Sequence, residues 1–383
     1  MMDFALNEEQ IVLKNSIIQF AKNELNSDLI NRDQQGEFIW ENWKKCSDMG
    51  LSSLPIPKEY GGAGADLSTT LMCMEALGYG CRDNGLVHAL ITQTCCGVQL
   101  SLFGSNVQKQ EHLIGIASGK KIAAQAFTEP DAGSDIGSMN AKAEKVNDQY
   151  ILNGTKIFIS NGPIADLVIM SAVMAESQRR GYGEISCFLV EKGTKGFFRE
   201  KPLEKMGLRT LQNGELVFDD CEIPFCNLIG KEGQGLFMFH EIIEWERALM
   251  SACHIGIMER VLETCIRYAK NRRQFGKPIG KFQSVSNKIA EMKVNIELGR
   301  LMLYKAGWLK DQKKRAVLET SISKLFISES LKKACLEAIQ IHGAYGYMKE
   351  FEVERELRDS IASTIYSGTS EIQKNIISGL VGL

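Results

Sequence analysis

The sequence predicts an α+β protein built from three successive domains. The hydrophobic residues follow a helical period up to about residue 120, alternate as in short strands to about residue 230, and return to a helical period up to residue 383. We therefore predict an N-terminal α-helical domain over 1–120, a middle antiparallel, barrel-like β domain over 121–230, and a C-terminal helical bundle over 231–383. No G-x-G-x-x-G follows a predicted strand, which disfavours a Rossmann nucleotide site.

The first domain begins with a helix start signal. Asn7 and Gln10 have the spacing of a capping box, in which each side chain bonds to the other residue's backbone N–H. Further helical patterns cover Phe38–Gly50, Asp66–Gly78 and Asn84–Phe103. The sequence therefore predicts a mostly α domain.

The middle domain is predicted from seven short strand-like stretches separated by polar turns. They are Ile122–Thr128, Ala141–Val146, Tyr150–Asn153, Lys156–Ser160, Leu167–Val173, Ile185–Val190 and Glu215–Phe218. Consecutive strands without intervening helices favour an antiparallel domain over βαβ units. The last domain is predicted from four long amphipathic patterns, typical of a bundle. They cover Phe237–Asn271, Gln283–Leu309, Lys314–Gly343 and Phe351–Leu380.

Composition excludes several classes of protein. With 44% hydrophobic and 24% charged residues, the chain has the composition of a soluble globular protein. A net charge of −2 gives no field to attract nucleic acid or a membrane surface. The N-terminus has no signal-peptide or transit character, so we expect a cytoplasmic protein. The scattered cysteines and histidines have neither disulfide-scaffold nor metal-ligand spacing, which predicts reduced, buried thiols and no metal site.

Six groups of residues together resemble the acyl-CoA dehydrogenase family of flavoproteins, in the family's order and over nearly the whole chain. They are Phe127–Asp135; Asn153–Gly162; Lys205–Arg209 with Phe218–Pro224; Arg272–Gln283; Gln340–Tyr347; and Arg358-Asp359 with Ile365–Gln373. The resemblance implies the family's α–β–α fold and an FAD cofactor. It also implies oxidation of a thioester by removal of the α-proton and transfer of a hydride to flavin N5.

The resemblance assigns one set of middle-domain residues to the flavin end of FAD. They are Gln125, Phe127, Thr128, Ser134, Phe158 and Ser160. Phe127 and Thr128 match donors to the N1–C2=O side of the ring, where the reduced anion is stabilised. Phe158 matches an aromatic residue packed on the ring, and Ser160 matches a hydroxyl near N5. Ser134 matches a hydroxyl that meets either pyrophosphate or substrate.

A second set of residues matches the adenine and pyrophosphate end of the cofactor. Arg272, Phe275 and Gln283 match residues supplied by a neighbouring subunit, which implies a homotetramer. The contribution of the C-terminal segment to the same end is assigned to Gln340, Gly343, Thr369 and Glu371. The usual Gly-Gly pair of the family reads Gly343-Ala344 here, which adds one methyl group beside the cofactor.

The predicted base departs from the commoner family pattern. Many members carry a glutamate immediately before Gly-Thr-Ser, where this chain has Ser367, and a serine hydroxyl is not a base at neutral pH. In a subgroup the base is a helical glutamate before an arginine, which matches Glu246 followed by Arg247. We therefore predict Glu246 as catalytic base and Arg247 as a substrate-binding residue. Glu244 lies about 200° round the helix from Glu246, so the two cannot face the same side.

Several functions stay open from the sequence. The helix-borne base occurs in relatives resembling isovaleryl-CoA dehydrogenase and in prolyl-carrier-protein oxidases. We favour oxidation of a prolyl or aminoacyl group on a carrier protein, with a short- or branched-chain acyl-CoA dehydrogenase as the alternative. The electron acceptor is either molecular oxygen or an electron-transfer flavoprotein. Two other classes are a flavin monooxygenase on the same scaffold, which Glu246 disfavours, and a non-enzymatic scaffold, which the intact cofactor motifs disfavour.

Overall fold

A computed structural model describes residues 6–175 and 184–383. From residue 6 onward, the N-terminal domain contains six α-helices: α1 (Glu8–Glu24), α2 (Leu29–Gln35), α3 (Trp40–Asp48), α4 (Leu67–Gly80), α5 (Asn84–Phe103) and α6 (Asn106–Ala117). The predicted capping box is confirmed, because the Asn7 side chain accepts from the Gln10 backbone and the Gln10 side chain accepts from that of Asn7. The first five residues, on which the targeting expectation partly rests, lie outside the described residues.

Helix α5 is the central helix of this domain. By length and composition it could cross a membrane, but 83% of its most apolar 18-residue window is buried inside the protein. Its neighbours are other protein segments, so its apolar surface is that of a core helix. All the cysteines are free thiols, and all except Cys226 are buried. A buried thiol packs as a small apolar side chain.

The middle domain is an eight-stranded sheet with a mixed pattern. Its strands are β1 (Ala123–Ala126), β2 (Lys142–Val146), β3 (Gln149–Ser160), β4 (Leu167–Met174), β5 (Ile185–Glu191), β6 (Phe197–Arg199), β7 (Asn213–Pro224) and β8 (Leu228–Ile229). The order is β6-β7-β3-β2-β4-β5-β8, with β1 beside β4. Most pairings are antiparallel as predicted, but β4 pairs in parallel with β1 and β2. The two stretches predicted around Gly154 form the single strand β3.

The C-terminal domain is a bundle of α7 (Gly235–Asn271), α8 (Gln283–Asp311), α9 (Val317–His342), α10 (Val353–Ala362) and α11 (Ser370–Leu380). The prediction of one helix over Phe351–Leu380 is wrong, because the chain leaves the helix between α10 and α11. Ser367 and Gly368 there have φ of +55° and +88°, which a helix cannot contain. Between α7 and α8 a small hairpin pairs β9 (Arg273–Gln274) with β10 (Lys277–Pro278).

The two helical domains share one core, which fixes how α7 sits against α4 and α5. A Cβ atom at Gly256 of α7 would stand 2.1 Å from the Glu75 carbonyl oxygen of α4, so these helices touch backbone to backbone. The sheet has a core of its own, and a further apolar cluster joins its β1 side to α5 and α6. The face of the sheet near β1 and β3 therefore lies beside α5 and the N-terminal half of α7.

Candidate active site

An aromatic side chain leaves the sheet at a bulge in β3. The register between β3 and β7 shifts between Lys156 and Ile159, and Phe158 adopts φ of +60°. Its carbonyl oxygen accepts a 2.8 Å hydrogen bond from the Asn213 amide, and its ring is 62% exposed. A non-glycine residue in this conformation costs of order 1–3 kcal/mol, and such strain concentrates at functional sites. The bulge therefore presents a flat apolar surface for a ligand.

A buried ion pair holds the segment that follows β1. The Lys156 ammonium, which is completely buried, donates to Glu129 Oε1 at 2.7 Å and to the Phe127 carbonyl oxygen at 3.1 Å. Burial lowers the pKa of Lys156, and the opposing Glu129 carboxylate limits that change. The Thr128 carbonyl oxygen accepts from the Ile157 backbone at 2.9 Å. Phe127 and Thr128 are therefore fixed against β3 by Lys156 and Ile157, which directly precede Phe158 in that strand.

The remaining middle-domain residues of the predicted set lie around this face. Ser160 Oγ is 3.4 Å from Nε2 of His88 on α5, and the Gln125 side chain donates to that of Gln99 at 2.5 Å. Ser134 is exposed in the loop after β1. The structure therefore brings Ser160 against α5, and His88 is a site residue that the sequence did not single out.

The predicted base meets the residue that replaces the commoner base. The Ser367 hydroxyl donates to Glu246 Oε1 at 2.5 Å, although 120 residues separate these positions in the chain. Burial raises the pKa of Glu246, while the Ser367 hydroxyl and the nearby Arg247 and Lys324 charges oppose that rise. A carboxylate whose pKa is raised toward neutrality is suited to take a proton.

Three side chains hold the loop that carries Ser367. Arg247 Nε donates to the Ser367 carbonyl oxygen at 3.0 Å, and Lys324 Nζ donates to that of Gly368 at 2.6 Å. Gln373 Nε2 donates to both oxygens at 3.1 Å. Burial, together with the nearby Arg247 charge, lowers the pKa of Lys324 to about 8. These contacts stabilise two consecutive residues of positive φ directly beside Glu246.

Glu244 and Glu246 point to different partners, as the helical geometry predicts. Glu244 forms an ion pair with Lys310 of α8 at 3.0 Å and is buried. Glu246 instead accepts from the Ser367 hydroxyl, and within the described residues no cation forms an ion pair with it.

Five residues of the second predicted set lie around the end of α7, the start of α8 and the end of α9. Phe275 and Gly276 form the turn of the β9–β10 hairpin with φ of +50° and +78°, and the Phe275 ring at its tip is 92% exposed. The Arg272 guanidinium stacks 5.8 Å from the Tyr345 ring centroid, which brings the hairpin to the loop after Gly343. Gln283, the first residue of α8, and Gln340 and Gly343, at the end of α9, are exposed.

The last two predicted residues lie at the start of α11. Thr369 is its N-cap, with its hydroxyl accepting from the Ile372 backbone at 3.3 Å. Glu371 lies in the first turn, where backbone N–H donation and the Thr369 hydroxyl lower its pKa. The structure places this helix start beside the middle of α9, where the Ser370 hydroxyl donates to Glu329 at 2.7 Å, and not beside Gln340 and Gly343 at the C-terminal end of α9.

The donor set fits a planar aromatic ring joined to phosphates. The bulged Phe158 and the hairpin ring of Phe275 are large apolar surfaces that face solvent. Arg272 is an exposed cation beside an aromatic ring, the pairing that binds phosphate and stacks bases. Gly343, at φ of +61°, has open space where a Cβ would stand. Within residues 6–175 and 184–383 there is no group of three or more potential metal ligands.

The fold and this site define an enzyme of the acyl-CoA dehydrogenase class, and the chain belongs to the acyl-CoA dehydrogenase family. Three family models match it: the N-terminal domain over 7–120, the middle domain over 124–221 and the C-terminal domain over 233–380. The predicted family and fold class are confirmed. The protein is an FAD-dependent oxidoreductase that acts on thioesters.

Its relatives include enzymes that act on carrier proteins. An L-prolyl-[peptidyl-carrier protein] dehydrogenase of Serratia sp. (strain ATCC 39006) is 43% identical over 383 residues, covering 100% of this chain and 99% of the relative. The crystal structure of the prolyl acyl carrier protein oxidase AnaB has a TM-score of 0.97 and 46% identity over 99% of this chain and 100% of AnaB. PigA with FAD and proline gives 0.97 and 42%, covering both chains completely.

Proposed function

We propose that this protein oxidises a prolyl group bound as a thioester to a carrier protein. The observation that carries the proposal is the hydrogen bond between Ser367 and Glu246, which supports assigning the base to α7. The helix-borne base suits both carrier-protein oxidases and some acyl-CoA dehydrogenases. The similarity along the whole chain to a prolyl-carrier-protein dehydrogenase and to AnaB supports the former.

Glu246 is the catalytic base in this proposal. It takes the proton from the carbon next to the thioester carbonyl, and that proton ends on a carboxylate oxygen. When bound, FAD supplies the acceptor for the hydride that leaves the neighbouring position. Arg247 is proposed as a substrate-binding residue, and its charge also holds the Ser367 loop in place. The hydroxyl of Ser367 fixes one oxygen of Glu246, which leaves the other free to point at the substrate.

The cofactor is proposed to lie along two surfaces of the chain. Phe158, Phe127 and Thr128 form its flavin end, with Gln125, Ser160 and Ser134 around them. Arg272, Phe275 and Gln283 are proposed to extend to the cofactor of a neighbouring subunit, with Gln340, Gly343, Thr369 and Glu371 completing that end. The strong exposure of Phe275 supports this assignment, since an isolated chain leaves the ring in water. We further propose that the protein is a homotetramer, as the family resemblance implies, and that it is cytoplasmic.

A substrate panel tests the proposal. Purified protein loaded with FAD is mixed without oxygen with prolyl-loaded carrier protein, prolyl-CoA, butyryl-CoA and isovaleryl-CoA, and bleaching of the flavin absorbance is followed. We expect rapid bleaching by the prolyl-loaded carrier protein and slow bleaching by the CoA esters. Fast bleaching by isovaleryl-CoA alone would replace the proposal with the branched-chain acyl-CoA dehydrogenase.

The same panel, repeated in air, identifies the electron acceptor. Peroxide formed at the rate of turnover identifies molecular oxygen, whereas turnover that needs an added electron-transfer flavoprotein identifies that partner. A flavin monooxygenase would instead insert an oxygen atom into the product, which mass spectrometry of the carrier-bound acyl group detects. The partly buried, hydroxyl-bonded position of Glu246 favours proton abstraction over that reaction.

A further inference from the structure

Two motifs of the family meet where the middle domain contacts the C-terminal domain. Lys205–Arg209 lies in the β6–β7 loop, residues 200–212, and Arg358-Asp359 lies in α10. The Leu208 backbone N–H donates to Asp359 Oδ1 at 2.6 Å, and Arg358 Nη1 donates to the Met206 carbonyl oxygen at 3.0 Å. The Asp359 side chain is buried. The two motifs therefore hold the β6–β7 loop against α10.

The loop and α10 touch backbone to backbone at this contact. A Cβ atom at Gly207 would stand 2.5 Å from the Arg358 carbonyl carbon and 2.7 Å from the Asp359 backbone nitrogen. Leu208 has φ of +49°, a left-handed conformation that costs a leucine of order 1–3 kcal/mol. Such a conformation persists only where surrounding contacts hold it, and the bond to Asp359 is one of them.

The same loop is also tied to the N-terminal domain. The Thr210 hydroxyl donates to Asp83 Oδ1 at 2.6 Å, and Gln212 Nε2 donates to the Gly36 carbonyl oxygen at 3.0 Å. Asp83 in turn forms a buried ion pair with Arg32 at 2.7 Å. The β6–β7 loop is therefore fixed to both helical domains.

The end of the loop leads into the strand pairing that carries the Phe158 bulge. The Gln212 carbonyl oxygen accepts from the Asn161 backbone N–H at 2.7 Å, and the Asn213 side chain donates to the Phe158 carbonyl oxygen at 2.8 Å. Asn213 also pairs with Ser160 in the sheet register. A displacement of the loop would therefore move the surface that we propose binds the flavin ring.

The other partner of the contact leads to the proposed base. Helix α10 ends at Ala362, and the chain continues to Ser367, whose hydroxyl donates to Glu246. The contact between the β6–β7 loop and Asp359 thus joins the sheet side of the candidate site to the helical side.

We propose that Asp359 is a positioning residue, which sets the separation between the flavin surface and the base by holding the β6–β7 loop against α10. This inference rests on the proposed roles of Phe158 and Glu246. The proton and the hydride leave adjacent carbons of the substrate, so the base and the flavin must be held in one arrangement around it. A misplacement of about 1 Å can cost about 10²-fold in rate.

The test measures the rate of flavin bleaching per bound FAD at saturating substrate, which corrects for any loss of folded or FAD-loaded protein. The substrate is whichever of prolyl-loaded carrier protein, butyryl-CoA and isovaleryl-CoA bleaches the wild-type flavin fastest. Asp359→Ala removes the acceptor of the Leu208 N–H, and we expect this rate to fall about 100-fold. Asp359→Asn, which keeps an oxygen facing Leu208, should stay within about tenfold of wild type.

A second variant displaces the loop without removing a hydrogen-bonding group. Gly207→Ala places a methyl group against the α10 backbone, so the rate per bound FAD should fall about tenfold or more. The matched control is Glu75→Ala, because Glu75 is also a buried carboxylate but lies on α4 and pairs with Lys14 and Arg300. It should lose stability and keep the wild-type rate per bound FAD.

Asp359→Ala or Gly207→Ala protein that folds, binds FAD and bleaches at the wild-type rate overturns the inference. A fall in Glu75→Ala equal to that in Asp359→Ala overturns it as well, since any loss of buried charge would then have the same effect. If Glu246→Gln is slow while Asp359→Ala is not, the inference alone is overturned. If Glu246→Gln also bleaches at the wild-type rate, the proposed base is overturned with it.

Discussion

The two sides of the candidate site are built in different ways. The sheet side comes from one strand and the segment before it: Phe158 and Ser160 lie two residues apart on β3, and Lys156 of the same strand holds Phe127. The helical side joins Glu246 of α7 to Ser367, which lies 121 positions later. The sheet side thus comes from contiguous sequence, and we propose that it binds the flavin end of FAD. The helical side arises only from packing, and we propose that it supplies the catalytic base.

Replacing Glu246 tests the helical side of the site most directly. Glu246→Gln keeps the shape of the side chain and its contact with Ser367 but cannot accept the α-proton. We expect the rate of flavin bleaching by substrate to fall about 10³-fold while FAD stays bound, since a general base contributes 10²–10⁴-fold. Anaerobic stopped-flow spectroscopy measures both quantities.

The matched control is Glu244→Gln, on the same helix. Because Glu244 pairs with Lys310 away from Ser367, its loss should change the bleaching rate by less than about tenfold. A Glu246→Gln variant that bleaches at the wild-type rate would contradict the assignment of the base.

A second variant removes the buried ion pair on the sheet side of the site. Lys156→Met leaves the Glu129 carboxylate buried without its cation, and a broken buried pair costs about 3–5 kcal/mol. The free energy of unfolding, from urea titration followed by circular dichroism, should fall by about that amount, and FAD content should fall with it.

The control for this variant is Lys192→Met in the same domain. Lys192 and Asp166 form an exposed pair at 3.8 Å, which is worth about 0–1 kcal/mol. Equal losses of stability in the two methionine variants would show that the buried pair does not hold the Phe127 segment.

A third variant tests how the Ser367 hydroxyl on the helical side changes the pKa of Glu246. Ser367→Ala removes the hydroxyl that lowers the pKa of Glu246, so that pKa should rise. Since the base must be deprotonated, kcat/KM falls as pH drops through this pKa, and the acid limb of the profile should move to higher pH. A hydrogen bond worth about 1 kcal/mol corresponds to a shift of about 0.7 pH unit.

The pH profile of kcat/KM for wild type and variant measures this shift. Ser378→Ala changes a half-buried serine of α11 whose hydroxyl donates to the Asn375 carbonyl oxygen of the same helix, and it should leave the limb in place. An acid limb that stays unmoved in Ser367→Ala would mean that Glu246 does not set it.

The sequence predicted the order of the three domains because the hydrophobic period changes at each boundary. It also predicted the bounds of α5 and the opposite orientations of Glu244 and Glu246, which depend only on helical geometry. It missed α2, a seven-residue helix that begins after Asp28 at φ of +49°, because so short a pattern has no clear period. It missed the two-residue strand β8 for the same reason.

The residues that the sequence missed in the site have a common cause. His88, Lys324 and Gln373 lie on three different helical elements, and only tertiary packing brings them to Ser160 and the Ser367 loop. The break between α10 and α11 was missed because Ser367 takes a positive φ that serine rarely adopts. Neighbouring side chains stabilise that conformation, so no local pattern could predict it.

The contact between Ser367 and Glu246 shows that two distant segments of the chain reach one point in the site. The Ser367 side chain is directed at the Glu246 carboxylate, with 2.5 Å between the two oxygens. A carboxylate introduced at position 367 would therefore enter the space that the Glu246 carboxylate occupies. Either segment, the middle of α7 or the loop before α11, is thus positioned to present a carboxylate at this point.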